Sequence, residues 1–298
     1  MSDPQSPKST ENIDDKVVAD FGREWKTFSQ ERLVGSELSD AAEDYFRIFP
    51  FNLVNQKSVG FDMGCGSGRW AKTIAPRVGL LRCIDPSSMA LEQARKNLKH
   101  HSNCEFACES VSNNSLQEGS QDFGYSLGVL HHVPNTLAGL TSCTAKLKEG
   151  APFLLYLYYR FDNKPLLFRL LWQISDVARR IISRLPFLVK LAISQVIAIT
   201  VYLPLAKFSL LMEKARFNVE NVPLSYYRNK SFYFMRTDAL DRFGTKLEQR
   251  FTKAEIHRMM SQAGLIDIQF SEKAPFWVAV GIRSKRSEQP ATQPPGCK

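Results

Sequence analysis

The stretch that most constrains this chain is Val59-Gly-Phe-Asp-Met-Gly-Cys-Gly-Ser-Gly68, an apolar run that breaks into three glycines within five residues. The run from Lys57 to Met63 has the composition of a buried strand. A helix is expected from Arg69 to about Val78, and a second strand from Leu80 to Ile84, ending at Asp85. Pro86-Ser87-Ser88 then opens a helix carrying Met89, Leu91, Ala94 and Leu98, with a serine to cap it. Strand, glycine loop, helix, acid-tipped strand and helix make the βαβ unit of a doubly wound parallel sheet. In such a unit the glycines let a ligand approach the backbone without meeting a Cβ. The helix after the loop turns free N–H groups toward the ligand. The acid at the next strand end can accept hydrogen bonds from paired hydroxyls.

Glycine spacing separates the ligand classes. A dinucleotide loop prefers Gly-x-Gly-x-x-Gly, whereas this loop is Gly-x-Gly-x-Gly with Arg69 at the third glycine's place. A phosphate loop needs Gly-Lys-Ser/Thr, which is absent. A tight structural turn would not require three glycines. The segment from Val59 to Gly68 resembles the first motif of class I S-adenosylmethionine-dependent methyltransferases. That resemblance implies an α/β, Rossmann-like fold: a mostly parallel seven-stranded sheet with helices on both faces, and here a helical insertion after the fifth strand. It also implies S-adenosyl-L-methionine as cofactor. Carried over residue by residue, it puts Asp62 near the methionine end, packs Gly64, Cys65, Gly66 and Gly68 against the cofactor, and gives the ribose to Asp85, with Pro86 beside it.

The likeness continues downstream. Asn103–Cys108 reads as the third strand, and Glu109 and Ser110 stand where the family contacts adenine. Asp122 to Pro134 resembles the fourth strand and its exit loop, with Leu127 along the cofactor. Its Leu-His-His-Val-Pro is similar to the small-molecule branch of ubiquinone and menaquinone biosynthesis. There His131 and His132 are the candidate catalytic pair, one of them a general base. Methyl transfer to an already acidic nucleophile needs little base, so the favoured role for both is shaping the loop. A helix is expected over Thr141–Lys148, ended by Gly150, and a fifth strand over Phe153–Tyr158.

Outside this core the chain divides by composition. Residues 1–15 form a polar leader without the apolar run of a secretory signal, and residues 284–298 a tail rich in Pro, Gln and Ser; both are expected to lack fixed structure. Residues 16–54 read as a helical cap, with Val17, Phe21, Trp25 and Phe28 at helical spacing and a second helix over Ser39–Phe49. The cofactor core spans 55–160, an insertion 161–235, and the rest of the core 236–283. In that last part Thr252-Lys-Ala-Glu255 is a capping box, followed by strands over Ile266–Phe270 and Phe276–Ile282.

The insertion is basic, then greasy. Seven basic residues between Arg160 and Lys190 face only Asp162 and Asp176, and Leu191–Ala206 is uncharged. Sixteen residues fall short of the roughly 20 that span a bilayer as a helix. Two readings stand: peripheral contact with an anionic membrane, or a buried cap over the site. Tyr158, Tyr226 and Tyr227 are the candidate substrate contacts, with core packing as the alternative. Asp238, Asp241 and Arg242 read by default as structural ion pairs. The net charge of +9 permits a nucleic acid partner, yet neither an Asn-Pro-Pro-Tyr tetrad nor a zinc ribbon is present. No Cys-x-x-Cys pair exists, so no metal is expected.

The expected activity is methyl transfer to a small, lipophilic or lipid-linked molecule by a cytoplasmic enzyme, membrane-associated under the first of those two readings of the insertion. The rivals are a sugar or polyketide acceptor, a NAD(P)-dependent oxidoreductase, and a non-catalytic partner protein of the same fold.

Overall fold

Five short runs lie side by side in one sheet in the computed structural model, which describes residues 12–28 and 36–285. They are β1 (Val59–Met63), β2 (Leu80–Ile84), β3 (Cys104–Ala107), β4 (Phe123–Leu127) and β5 (Pro152–Tyr156). With β6 (Leu265–Phe270) and β7 (Val278–Arg283) the order is β3-β2-β1-β4-β5-β7-β6. All pairs among β1 to β5 are parallel, and β7 is antiparallel to both neighbours. Strand order reverses between β1 and β4, where the connections leave in opposite directions and a crevice opens at the carboxyl ends.

The helices are α1 (Asp15–Thr27), α2 (Ser36–Phe46), α3 (Ala71–Ile74), α4 (Ser88–Asn97) and α5 (Thr136–Ala145). They continue as α6 (Leu166–Ile182), α7 (Phe187–Ile197), α8 (Leu203–Lys214), α9 (Phe232–Gly244) and α10 (Lys253–Gln262). On one face of the sheet, Phe46 of α2 meets Tyr125 edge-on at 5.3 Å, and Leu91, Ala94 and Leu98 join the same core. On the other, Leu140 and Cys143 of α5 and Ile256 and Met260 of α10 pack with Phe153 and Leu155. Local chemistry sets the helix starts. Ser87 accepts from the Ala90 amide, Asn135 from the Ala138 amide, and Thr252 and Glu255 close the reciprocal capping box.

Several boundaries differ from the sequence reading. The helix after the glycine loop is one turn, α3, followed by a 3-10 turn through Arg77, because Pro76 interrupts it. So short a helix has almost no macrodipole, and the amides of Gly64, Cys65, Gly66 and Gly68 are bonded within the protein, which fixes the shape of the bend. The helix expected at Thr141 starts at Thr136, where Asn135 caps it, and Gly150 (φ 79°) belongs to the turn before β5. The second helix is shifted to Ser36–Phe46. Asn12, read as leader, exchanges two 2.7 Å hydrogen bonds with the Asn135 backbone, and Asp14 caps α1. The remainder of the leader and the tail beyond residue 285 lie outside the described residues.

In the insertion, α7 and α8 join through one wide turn of π type, Ala198–Tyr202, into a 28-residue helix, Phe187–Lys214. It exceeds the sixteen-residue run because Pro204 sits in the first turn of α8 and does not break the rod. By length and composition it is the one helix among the described residues that could cross a membrane. Its inner stripe, however, is buried in protein: Lys190, Ser194, Ala198, Tyr202, Ala206 and Ser209. Lys190 Nζ donates to Asp20 Oδ2 of α1 at 2.7 Å and to the Gly244 carbonyl of α9 at 3.0 Å. A lipid-surrounded helix could not keep these contacts, so the rod lies along the protein.

Candidate active site

A cavity of about 1420 Å³ opens at the carboxyl ends of β1, β4 and β5, lined there by Met63, Leu127 and Tyr156. At one end lies the glycine bend, with Gly64, Cys65, Gly66 and Ser67, and beside it Asp85 and Pro86. Asp85 Oδ2 accepts from the Gly66 amide at 2.9 Å, and its Oδ1 from the Ser87 amide at 2.8 Å. The acid is therefore held against the bend. Burial raises its pKa to about 6, with the two amides pulling the other way.

The bend is a place for backbone only. Gly66 has φ +54°, and a Cβ there would sit 3.0 Å from the Trp25 indole of α1. At Gly64 (φ +79°) a Cβ would come 2.4 Å from a Val129 methyl. Helix α1 thus forms a wall of the cavity beside the bend, contributing Val17, Phe21 and Trp25.

Two of the loop positions act from behind the cavity. Asp62 is buried beneath the bend and does not line it; its Oδ2 has no hydrogen-bond partner among the described residues. Burial pushes its pKa up to about 8, while the Tyr125 hydroxyl pulls it down. Gly68 faces α4, where a Cβ would meet Leu98 at 2.8 Å, so its smallness serves helix packing.

The expected adenine pair separates. Ser110 lines the cavity; Glu109 is half-buried outside it and spends a carboxylate oxygen on the Ser115 amide (2.8 Å) and hydroxyl (3.0 Å). The histidine pair separates too. His131 is fully buried, does not line the cavity, and stacks on Tyr158 with centroids 3.9 Å apart. Burial holds it neutral, well below its ordinary pKa. His132 does line the cavity. Its Nδ1 lies 2.6 Å from the Leu247 carbonyl, which can only accept. Nδ1 therefore carries a proton, so in the neutral ring the lone pair is on Nε2, which has no partner among the described residues.

The opposite end is polar and aromatic. Tyr158 donates to Asp241 Oδ2, and Tyr227 donates to Asp238 Oδ2 at 2.9 Å. The Tyr226 hydroxyl is buried without a partner among the described residues. Asp238 and Asp241, read from sequence as structural ion pairs, make none within 4.0 Å among the described residues and line the cavity instead. Two phenols and desolvation replace the expected arginine. Burial raises both acids, Asp238 to about 7 against the pull of Arg69.

Sequence reasoning missed two contributors. Arg69, seen only as a missing glycine, lines the cavity with its guanidinium 4.2 Å from the Trp70 ring centroid. Tyr45 of α2 lines it as well, and the only signal for it was its helical phase, which does not say what lies opposite. Arg242 of α9, read with Asp238 and Asp241 as ion pairing, also lines the cavity.

The insertion supplies the last wall. Phe168, Leu171 and Trp172 of α6 and Val201, Leu205 and Phe208 of the rod face the cavity.

Residues 61–150 match the family described as a methyltransferase domain. No curated protein matches the chain at a significant level. Among solved structures, the protein paired with the Trm112 methyltransferase activator in a Haloferax volcanii complex superposes with a TM-score of 0.50 at 14% identity, over 93% of this chain and 100% of that one. An O-methyltransferase family protein from Burkholderia thailandensis gives 0.53 at 13% identity, over 91% of this chain and 63% of its own. Haemonchus contortus phosphoethanolamine N-methyltransferase 2, solved with phosphomonomethylethanolamine and S-adenosylhomocysteine, gives 0.50 at 14% identity, over 86% and 46%. At such identities the likeness carries the fold alone, and the domain match carries the class of activity. The chain contains a methyltransferase domain of the class I, S-adenosylmethionine-dependent kind.

Proposed function

We propose that this protein methylates a small lipophilic or lipid-linked acceptor, in the cytoplasm and in peripheral contact with an anionic membrane. The observation that carries the reading is the continuity of one cavity. It runs from the glycine bend, past His132 and the phenol–carboxylate cluster, to an apolar wall of insertion residues. At about 1420 Å³ it exceeds the roughly 300–1,000 Å³ of an ordinary small-molecule pocket, so it has room for two reactants.

The cofactor fits the residues present. Gly64, Cys65 and Gly66 of the bend line the cavity, and Asp85 keeps spare acceptor lone pairs for the ribose hydroxyls. Gly64, Cys65 and Gly66 would take its methionine and ribose portions, Leu127 and Ser110 its adenosyl portion, and Asp62 would act from beneath. When bound, the cofactor supplies an electrophilic methyl group. The chain's own task is to position the acceptor and exclude water. Tyr158, Tyr226 and Tyr227 orient the acceptor's polar end. His132 Nε2, with its tautomer fixed by the Leu247 carbonyl, takes the proton of an acceptor hydroxyl or amine. The apolar wall takes the greasy remainder.

Two measurements test this. Calorimetry should show S-adenosylhomocysteine binding and no NAD(P) binding. Mass spectrometry of lipid extracts from cells with and without the protein should show a species one methylene heavier in the first. Binding of NAD(P) alone, or a heavier species confined to the aqueous extract, would sink the proposal.

A further inference from the structure

Fifteen of the eighteen exposed large apolar side chains among the described residues lie between Leu166 and Phe217. On α6 they form a stripe, Leu166, Leu170, Ile174, Val177 and Ile181, at spacings of three and four. On the rod, Leu188, Val196, Ile199 and Leu211 point away from the buried inner stripe. Leu166 and Leu188 are 74% and 75% exposed. Soluble monomers rarely leave contiguous apolar patches of more than a few hundred Å² in water. Burial does not account for this face, so something else covers it.

Two further observations name the cover. The first is charge. Arg169, Arg184, Lys207, Lys214 and Arg216 are exposed on the same helices and their ends, with no carboxylate partner among the described residues. The two acids within this stretch are already engaged, Asp176 by Arg179 and Arg180, and Glu213 by Arg228. The remaining field is positive, as an anionic headgroup layer requires. The second is the mouth of the cavity. Leu171, Val201 and Phe208 line the cavity, yet are 49%, 42% and 52% exposed, so the cavity opens on this same face. A protein partner or a second copy seated here would close that mouth. A bilayer would instead deliver a lipophilic molecule through it.

We propose that the outer faces of α6, α7 and α8 dock on an anionic bilayer, and that the acceptor enters the cavity from the lipid between Leu171, Val201 and Phe208. The proposal deepens the reading of a lipophilic acceptor and rests on it. Docking is shallow: the apolar face sits at the headgroup–acyl boundary while the inner stripe stays on the protein.

The test is sedimentation of the full chain with vesicles of phosphatidylcholine, with and without phosphatidylglycerol. Binding should be at least about tenfold stronger to the mixed vesicles and weaken with salt. The double variant Leu170→Glu, Ile174→Glu should lose about tenfold or more of that binding. Both positions are exposed and neither lines the cavity, so melting temperature and S-adenosylhomocysteine affinity should not change. Should the variant fail to fold, brominated phosphatidylcholine mixed with phosphatidylglycerol should quench wild-type fluorescence, and Trp172→Phe should remove most of the quenching. Equal binding by wild type and variant, no binding by wild type, or unquenched fluorescence overturns the docking. A lipid-free dimer that the same variant splits, without vesicle binding, assigns the face to a second copy and overturns it too. Intact S-adenosylhomocysteine binding in any of these cases leaves the methyltransferase reading standing; its loss in wild type sinks that reading instead.

Discussion

The two ends of the cavity are built differently. At the cofactor end, a few backbone amides and one carboxylate lie within a span of some twenty residues, and Asp85 is fixed by the Gly66 and Ser87 amides. At the acceptor end, Tyr158, Tyr227, His132 and the α9 pair Asp238 and Asp241 come from four separate places in the chain, and Asp241 Oδ1 and His132 Nε2 have no protein partner among the described residues. Backbone recognition depends on shape and is local. Side-chain recognition is assembled by the fold and leaves unspent hydrogen-bonding capacity for a ligand. One end should thus fail all at once, the other in steps.

The largest expected effect is at the bend. Gly66→Val should abolish S-adenosylhomocysteine binding by calorimetry, since a branched side chain at φ +54° is strained and strikes the Trp25 ring. Measurable binding by this variant would break the contrast.

Next comes His132→Gln, which removes the Nε2 lone pair. Turnover should fall by about 10²-fold or more, with cofactor affinity unchanged. A loss confined to KM would make His132 a shaping residue instead.

Asp85→Ala should weaken S-adenosylhomocysteine binding by about 1.5–3 kcal/mol. In wild type, affinity should also fall as pH drops through about 6, where the carboxyl takes up its proton. A flat profile would mean that the acid serves the bend and not the ligand.

The smallest effect is on stability. Asp62 and Asp238 titrate near 8 and 7 when folded, above the ordinary 3.8. The native state then holds more protons than the unfolded chain, and stability falls as pH rises through those values. Below about 6.5 the buried neutral His131 acts in the opposite sense, so the clean window is pH 6.5–8.5. The slope there should be about 1 kcal/mol per pH unit and flatten in Asp62→Asn. A melting temperature that rises across that window would contradict the burial of both acids.

The same asymmetry explains what the sequence disclosed. The βαβ order, the glycine bend and Asp85 were legible because each is a short-range pattern with one physical cause. Glu109 and Ser110 were legible as a pair but not in direction, because adjacent residues leaving a strand point opposite ways. His131 and His132 divided for a related reason: one ring found a stacking partner, the other a carbonyl. Asp238 and Asp241 were misread because Arg242 is adjacent in sequence, while the partners that matter, Tyr227 and Tyr158, come from other elements. The start of α5 was missed because its one buried face, Thr136, Gly139, Leu140, Cys143 and Thr144, includes a glycine and two threonines and so carries little apolar signal.

The wide turn at Ala198–Tyr202 has a geometric consequence. Residues four apart on a regular α-helix drift by about 40° per step, since each residue advances about 100°. Uncorrected, the succession Lys190, Ser194, Ala198, Tyr202, Ala206 would wind nearly halfway round the rod. The looser i→i+5 coil advances less per residue and absorbs much of that drift. It acts as a phase corrector, keeping a single seam toward the protein, first against α9 and then against the 3-10 turn Ser225–Asn229. Forced into a regular α-helix of the same length, the rod would carry Ala206 about 160° round from Lys190 and off the seam.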